Sequence, residues 1–222
     1  MSGTSADTLA YHLAELRLVG DPGNPRRCIP NFDCSGWDVL DVGCGLGQTL
    51  VAPEFSGARS RHGIDVDESA IELGRSMFPD LVLTRAAAEK IPYDDARFDL
   101  VFSRVALPYT NVPVALAEMS RVTRPGGRVW LALHSWRMES EVLWAACRQL
   151  AIKRLIDRAY VVANSLLLVM SGHCIPRPWS GTFESFQFAR GIARVMRKLS
   201  LSEITALTGP HFCISARKAG DR

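Results

Sequence analysis

The sequence lacks the patterns that mark metal-binding and membrane-spanning proteins. Its six cysteines form no Cys-x-x-Cys pair, and no Cys/His cluster has the spacing of zinc ligands. We therefore expect no bound metal. The longest nearly apolar run covers residues 159–170 and includes Asn164. It is shorter than the ~20 residues that a membrane-spanning helix needs, so we expect no transmembrane segment.

Signs of export, repetition and disorder are also missing. Residues 1–7 have neither the basic nor the apolar region of a secretory signal peptide, and no internal repeat or low-complexity tract is present. A chain of 222 residues, of which 47% are hydrophobic, does not need disulfides to stabilise its core. We expect a cytoplasmic protein with reduced thiols, and the sequence leaves its oligomeric state open.

Charge is unevenly distributed along the chain. Residues 1–120 contain 10 Lys/Arg against 17 Asp/Glu, a net charge of −7, whereas residues 121–222 contain 16 against 6, a net charge of +10. A solvated basic face is the simpler interpretation. The alternative is a surface for an anionic substrate, RNA or membrane headgroups.

Strand-like and helical segments alternate along the first 135 residues. The predicted strands are 37–42, 62–65, 81–84, 98–103 and 128–134; the predicted helices are 68–77, 112–122 and a stretch from the turn at 43–47 to about residue 55. Such alternation is typical of βαβ units. We expect one α/β domain over residues 1–222, with a doubly wound, mostly parallel seven-stranded sheet of the Rossmann-like type.

The alternation stops after residue 135. Residues 139–170 have a helical composition, with two helices predicted to meet near Asp157, and Thr182 is predicted to cap a helix that runs to Lys198. Segments 201–207 and 212–216 are predicted to be the last two strands. We expect residues 137–180 to form a helical insertion that acts as a substrate cap, because long excursions of this kind are usually functional.

The segment Val39–Gly47 (VLDVGCGLG) predicts a ligand site at the end of the first strand. Its glycines allow close backbone approach, and free N–H groups of the following segment can meet a carboxylate or phosphate. Dinucleotide-binding enzymes use the pattern GxGxxG/A, whereas Gln48 follows the third glycine here. Asp41, two residues before Gly43, favours a polar ligand over a pyrophosphate.

Asp65 is the second sign of a nucleoside ligand. It closes the second predicted strand, 22 residues after Gly43, where a carboxylate can accept hydrogen bonds from both hydroxyls of a ribose. The simpler alternative is a helix cap for the segment that begins near Glu68. The combination of a glycine-rich turn and a strand-end acid at this spacing favours the nucleoside.

Five segments in order resemble the class I S-adenosylmethionine-dependent methyltransferases. The closest similarity is to the small-molecule branch that includes quinone-pathway and natural-product enzymes, and it covers residues 37–135. The segments are Val39–Gly47, Gly63–Asp65, Ala88–Asp95, Phe98–Ser103 and Arg124–Gly127. The resemblance implies that S-adenosylmethionine is the cofactor and that the chain is a methyltransferase.

The resemblance also implies a role for each matching position. Asp65 would hold the ribose hydroxyls, and Val66 would pack on the adenine. The loop that meets the adenine edge would include Ala88 and Glu89, preceded by Ala87 where the family often has Asp or Asn. The remaining cofactor-binding positions would be Asp41, Gly43, Cys44 and Gly45 around the methionine part, and Ser103 and Arg104 near the sulfonium.

A helix over residues 8–19, within an N-terminal helical segment 1–36, is expected to lie over this site. Tyr11 and Arg17 are candidates for binding the cofactor carboxylate. A surface helix packed through its leucines explains the same pattern.

Methyl transfer from a sulfonium is an in-line displacement, so positioning and desolvation can suffice. A general base can assist when the acceptor is a hydroxyl or amine. His134, at the end of the fifth strand, and Tyr109, after the fourth, are the candidate catalytic residues, and His173 is a further candidate. We expect a small-molecule acceptor, apolar or aromatic in character because of the tryptophans near the insertion, and no nucleic-acid partner.

Three other functions fit parts of the sequence. An RNA methyltransferase would use the basic C-terminal half, although no RNA-binding module is present. A non-catalytic scaffold would keep the fold without the chemistry, and a dinucleotide oxidoreductase would need a different glycine pattern. Binding of S-adenosylmethionine, NAD or RNA distinguishes among them.

Overall fold

Seven strands form a single sheet in the computed structural model of the chain, which describes residues 5–24, 27–133, 152–208 and 212–220 and the single positions 140, 144 and 148. The sheet order is β3-β2-β1-β4-β5-β7-β6, with β1 to β5 parallel and β7 antiparallel to both β5 and β6. The strands are β1 (Asp38–Val42), β2 (Ser60–Asp65), β3 (Val82–Arg85), β4 (Phe98–Arg104), β5 (Thr123–Leu133), β6 (Leu201–Thr208) and β7 (Phe212–Lys218). The predicted α/β fold with a mostly parallel seven-stranded sheet is confirmed.

Five helices within the described ranges accompany the sheet: α1 (Ser5–Gly20), α2 (Glu68–Met77), α3 (Val112–Val122), α4 (Ile152–Ser171) and α5 (Ala189–Lys198). The bounds of α2 and α3 match those predicted. The side chain of Asp67 accepts a hydrogen bond from Ala70 N and caps α2. In the chain, α4 and α5 follow β5 and precede β6. None of the helices in the described ranges is both long and apolar enough to cross a bilayer.

The segment after the glycine-rich turn is not the helix that we predicted. It forms successive three-residue turns, with Leu50 N donating to Gly47 O (3.0 Å) and Ala52 N to Thr49 O (3.1 Å), followed by a 3-10 turn over Pro53–Phe55. Ala52 has φ −64° and ψ 147° because a residue before proline avoids the helical region. Proline also lacks the N–H that a continuing helix requires.

Two predictions about the C-terminal helices are also wrong. α4 runs unbroken through Asp157, and α5 begins after Phe188 instead of at Thr182. The hydroxyl of Thr182 lies 2.8 Å from that of Ser180 in a turn. The chain then stays extended, with Ser185 N donating to Pro108 O. The turn Pro125–Gly127 lies within β5, where the pairing with β4 shifts register.

Apolar side chains on the two faces of the sheet form two separate cores. One core joins α3, α4 and α5 to the sheet, with Leu116 and Ile192 at 0% exposure. The other contains Phe55 and Phe102, whose rings stack with centroids 5.2 Å apart. Because β1, β2 and β4 run parallel, their carboxyl ends meet at one open edge of the sheet.

Charged groups close the opposite edge, at the amino ends of β1 and β4. Arg97 Nη1 and Arg124 Nη2 each lie 2.9 Å from Asp38 Oδ2, and Arg124 Nη1 lies 2.6 Å from Asp99 Oδ2. Burial alone would raise the pKa of Asp38, but hydrogen bonds from Ser60 and the guanidiniums hold it well below its ordinary value. The carboxylates at this edge are therefore fully paired.

Candidate cofactor-binding site

A tight turn leads out of β1 at the open edge of the sheet. Gly43 N and Cys44 N both donate to Ile64 O, at 2.8 and 3.0 Å. Gly43 has φ +81°, and a Cβ placed there would lie 2.1 Å from the Cβ of Ala106. Only glycine fits this position, because both the backbone conformation and the neighbouring chain exclude a side chain.

A cavity of about 200 Å³ lies beside this turn. It brings together residues from the ends of β1, β2 and β4 and from the loops that follow β3 and β4. Seven of its lining residues were predicted from the sequence: Gly43, Asp65, Val66, Ala88, Glu89, Ser103 and Tyr109. The others, which sequence reasoning missed, are Val42, Ala86, Ala106, Leu107 and Thr110.

The carboxylate of Asp65 is fixed by two backbone donors. Its Oδ2 accepts from Gly45 N at 2.8 Å, and its Oδ1 accepts from Asp67 N at 2.9 Å. Each oxygen keeps a further lone pair. The first hydrogen bond joins the glycine-rich turn directly to the end of β2, so the two sequence motifs meet in one place.

Asp41, near the end of β1, is a buried acid with one unpartnered oxygen. Its side chain is 1% exposed, and Oδ1 has no hydrogen-bond partner among the described residues. Burial raises its pKa to about 8; the charge of Arg104 opposes this shift and that of Asp65 adds to it. Oγ of Ser103 is likewise without a partner within the described ranges. A bound cation with hydrogen-bond donors would satisfy both.

Four predicted cofactor-binding residues are not part of the cavity wall: Asp41, Cys44, Gly45 and Arg104. Arg104 donates from Nη2 to Glu15 Oε2 (2.6 Å) and from Nε to Thr49 Oγ1 (3.1 Å). The thiol of Cys44 is buried and points toward Gly63 on β2, and burial raises its pKa well above the ordinary value. Cys44 can therefore face a ligand only through its backbone.

Glu89 combines a place in the cavity wall with a structural contact. Its Oε1 accepts a hydrogen bond from Asn111 N at 2.7 Å, at the start of α3. Asn111 is the N-cap residue, as predicted, but its own side chain makes no capping hydrogen bond. At the mouth of the cavity, the side chains of Val66 and Tyr109 are 65% and 50% exposed.

Helix α1 covers the methionine side of the predicted site through a residue that the sequence did not single out. The ring of His12 lies against Gly45: a Cβ placed on Gly45 would be 2.6 Å from the His12 ring. His12 Nδ1 is buried without a partner in the described part of the chain. The predicted candidates Tyr11 and Arg17 are exposed. No sequence signal distinguished His12 from a core histidine.

Of the two histidines predicted as candidate bases, only His173 is described, and it does not line the cavity. His134 lies outside the described residues, as does most of 137–151. His173 is exposed in the loop that follows α4. The residues that are described contain no group of three His, Cys, Asp or Glu side chains arranged to hold a metal ion.

Part of the chain matches a known protein family. Residues 40–131 match the family model described as a methyltransferase domain. Over 103 residues the chain is 39% identical to the ubiquinone/menaquinone biosynthesis C-methyltransferase of Burkholderia multivorans, which is 42% of each protein. The chain therefore spans less than half the length of that relative. A malonyl-[acyl-carrier protein] O-methyltransferase of Erwinia pyrifoliae is 27% identical over 86% of this chain and 73% of that protein.

Solved structures extend the similarity to the whole fold. A chain in the complex of the Haloferax volcanii Trm112 methyltransferase activator with its methyltransferase aligns with a TM-score of 0.66 at 15% identity, covering 98% of this chain and 96% of that one. A SAM-dependent methyltransferase from Methanosarcina mazei aligns at 0.57 and 18% identity, covering 86% and 96%. The resemblance inferred from the five motifs is therefore confirmed: residues 40–131 match a methyltransferase-domain model, and the fold is that of the aligned methyltransferase structures.

Proposed function

We propose that the protein transfers a methyl group from S-adenosylmethionine to a small-molecule acceptor by in-line displacement. The observation that carries this proposal is the buried carboxyl of Asp41, whose Oδ1 has no partner among the described residues and which directly precedes the cavity-lining residues Val42 and Gly43. A buried acid is costly without a partner, and the positively charged methionine end of this cofactor would supply one. When bound, the cofactor supplies an activated methyl group on a sulfonium.

The residues around the cavity fit the other parts of the cofactor. The free lone pairs of Asp65 would accept the ribose hydroxyls, and the exposed Val66 would pack on the adenine. Ala88 and Glu89 would meet the adenine edge. The methionine part would contact the turn at Gly43, Cys44 and Gly45, with Ser103 nearby and Arg104 acting through the placement of α1.

The chain's own contribution to the reaction would be alignment and exclusion of water. Tyr109 lines the cavity next to the turn at Gly43 and is our candidate for holding the acceptor or accepting its proton. His134 stays a prediction for the same role. The names of two relatives, a C-methyltransferase of quinone biosynthesis and an O-methyltransferase of a carrier-bound acid, support an acceptor outside the nucleic acids.

The domain organisation belongs to the same proposal. Residues 1–222 would form one methyltransferase domain, α1 within the segment 1–36 would cover the cofactor, and 137–180 would cover an apolar or aromatic acceptor. The exposed Trp179 on the loop after α4 supports an aromatic or apolar surface there. We propose a cytoplasmic location, as the sequence predicted.

Calorimetric titration with S-adenosylmethionine tests the cofactor directly. We expect binding to the wild type, at least tenfold weaker binding to Asp65→Asn, and unchanged binding to the matched control Asp80→Asn, an exposed aspartate. Incubation with methyl-labelled cofactor and a metabolite extract would then identify the acceptor by mass spectrometry. Thermal stabilisation by NAD but not by S-adenosylmethionine, or cofactor binding without any labelled product, would contradict the proposal.

A further inference from the structure

Helix α4 carries a row of apolar side chains on its exposed face. Its outward row is Ile152, Ile156, Ala159, Ala163, Leu166 and Met170, all exposed. At about 100° per residue, these six positions fall within an arc of roughly 80°. The four large side chains among them are 72%, 55%, 48% and 78% exposed, in chain order. An exposed, continuous apolar row of this length marks an interaction surface.

The inward face of α4 explains why the outward row is not needed for folding. Its buried residues are Val161, Asn164, Ser165 and Leu168. Asn164 Oδ1 accepts from Ile175 N (2.9 Å), its Nδ2 donates to Glu184 O (3.1 Å), and Ser165 Oγ accepts from Phe186 N (3.0 Å). The helix is thus anchored on one side by Val161, Leu168 and these polar contacts, and it leaves a second apolar row uncovered on the other side, where an ordinary surface helix is polar.

Positive charge lies at both ends of this apolar row. Lys153 is exposed at the start of α4. At the other end, Arg194 Nη1 on α5 donates to Val169 O at 2.9 Å, which places the basic side of α5 next to Met170. That side borders a groove of about 680 Å³ with four cationic side chains in its wall: Arg190, Arg194, Arg197 and Lys198. No carboxylate side chain lines the groove within the described part of the chain.

We propose that α4 and α5 dock the protein on the surface of an anionic lipid bilayer. The apolar row would enter the boundary between headgroups and acyl chains, and the cations of α5 would meet the lipid phosphates. Charge complementarity favours this partner, because the half of the chain that contains both helices has a net charge of +10. RNA would use the cations but not the apolar row. A second copy would bring the same cations together.

Aromatic placement agrees with an interfacial position. Trp179 is 57% exposed and packs edge-on against Tyr160 of α4, with ring centroids 6.0 Å apart. Tryptophan and tyrosine are favoured at membrane–water interfaces, and Trp179 is the exposed member of this pair. This pair also supplies a local fluorescence signal.

Vesicle sedimentation tests the proposal on the full chain. We expect binding to vesicles of phosphatidylcholine with about one third phosphatidylglycerol, at least tenfold weaker binding to pure phosphatidylcholine, and a loss of about tenfold when salt rises from about 0.1 to 0.5 M. Binding should shift the tryptophan emission to shorter wavelength, and Trp179→Phe should reduce that shift.

Two double variants separate the apolar and cationic contributions. Arg190→Gln with Arg197→Gln should weaken vesicle binding about 30-fold, and Leu166→Gln with Met170→Gln at least tenfold. The matched control is Arg128→Gln with Arg217→Gln. It removes the same charge on the other face of the sheet, where Arg128 packs on Phe32 of the second core. All substituted α4 and α5 positions are exposed, and circular dichroism would verify the fold.

Several results would overturn the proposal. They are equal binding to neutral and anionic vesicles, no binding to either, or an equal loss in the control variant. Tight binding of single-stranded RNA without vesicle binding would assign the basic side to a nucleic acid. A dimer in sedimentation velocity that Leu166→Gln with Met170→Gln dissociates would assign the apolar row to a second copy.

Discussion

The guanidinium of Arg104 at the end of β4 lies 2.6 Å from the carboxylate of Glu15 on α1. Both side chains are largely buried, at 8% and 20% exposure, and Arg104 also contacts Thr49 in the turns that follow the glycine-rich segment. Arg104 therefore links the helix that covers the site to the strand that forms its floor.

Breaking this ion pair should loosen α1. We expect Arg104→Gln and Glu15→Gln each to destabilise the protein and to speed amide exchange over residues 5–20, with a coupling energy of about 1–2 kcal/mol between them. A double-mutant cycle in urea unfolding measures that coupling. Additive effects of the two substitutions would show that the pair does not hold the helix.

The clash at Gly43 predicts a sharp difference between two glycine substitutions. Gly36→Ala provides the matched control, because Gly36 has φ +74° but no atom within 4 Å of an added Cβ, whereas at Gly43 that Cβ would meet Ala106 at 2.1 Å. In both variants, backbone strain should lower the free energy of unfolding by about 1 kcal/mol. In Gly43→Ala, overpacking should lower it by about 1–3 kcal/mol more.

Cofactor affinity should separate these two variants further. Gly43→Ala should lower it at least tenfold, while Gly36→Ala should leave it unchanged, as measured by calorimetry. Similar stability and affinity in the two proteins would be incompatible with the described packing of the turn.

The pKa of Asp41, about 8, predicts a pH dependence with a definite sign. Between pH ~4 and ~8 the folded protein holds a proton that the unfolded chain has released, so the contribution of this group to stability falls as pH rises through that range. Asp41→Asn, which is similar in shape and does not titrate, should remove this fall in thermal unfolding curves.

Binding of a cationic cofactor should favour the ionised form of Asp41. Affinity should therefore rise up to tenfold per pH unit below pH ~8 and level off above it, and binding at pH 7 should release about one proton. Calorimetry in buffers of different ionisation enthalpy counts that proton. Asp41→Asn should show neither effect, and a wild type that releases no proton would contradict the assignment.

Substituting Tyr109 and Tyr93 separately tests whether a tyrosine hydroxyl acts in catalysis or in folding. Tyr109→Phe should lower kcat about 100-fold with cofactor affinity within about twofold, if its hydroxyl handles the acceptor proton. The control Tyr93→Phe removes a hydroxyl that lies 3.2 Å from His62 Nδ1, so it should reduce stability and leave kcat unchanged. Equal rates for Tyr109→Phe and wild type would exclude the tyrosine.

Local patterns predicted the parts of the site that depend on neighbouring residues in sequence. The turn at Gly43 and the strand-end carboxylate of Asp65 are such features, and parallel strand order brings them together. The sequence also contained a signal against the helix predicted to about residue 55. Ala52 precedes Pro53, and a residue before proline disfavours the helical conformation.

Contacts between segments that are distant in the sequence could not be predicted from local patterns. His12 reaches Gly45 only because α1 folds back over the turn, and Glu89 accepts from Asn111 only because the two loops converge. Thr182 is a residue type that can cap a helix, but Phe186 and Gln187 are buried in an extended segment, so the helix begins only at Ala189. Tertiary packing overrode local preference there.

The paired carboxylates of Asp38 and Asp99 at one edge of the sheet contrast with the unsatisfied Asp41 and Ser103 at the other. Side chains of the protein satisfy the polar groups at the first edge, whereas polar groups at the second edge are left for a ligand. The ion pairs at the first edge therefore stabilise the sheet whether or not a ligand is bound at the second. Substitutions at the second edge can then alter ligand preference without disturbing the ion pairs that stabilise the first.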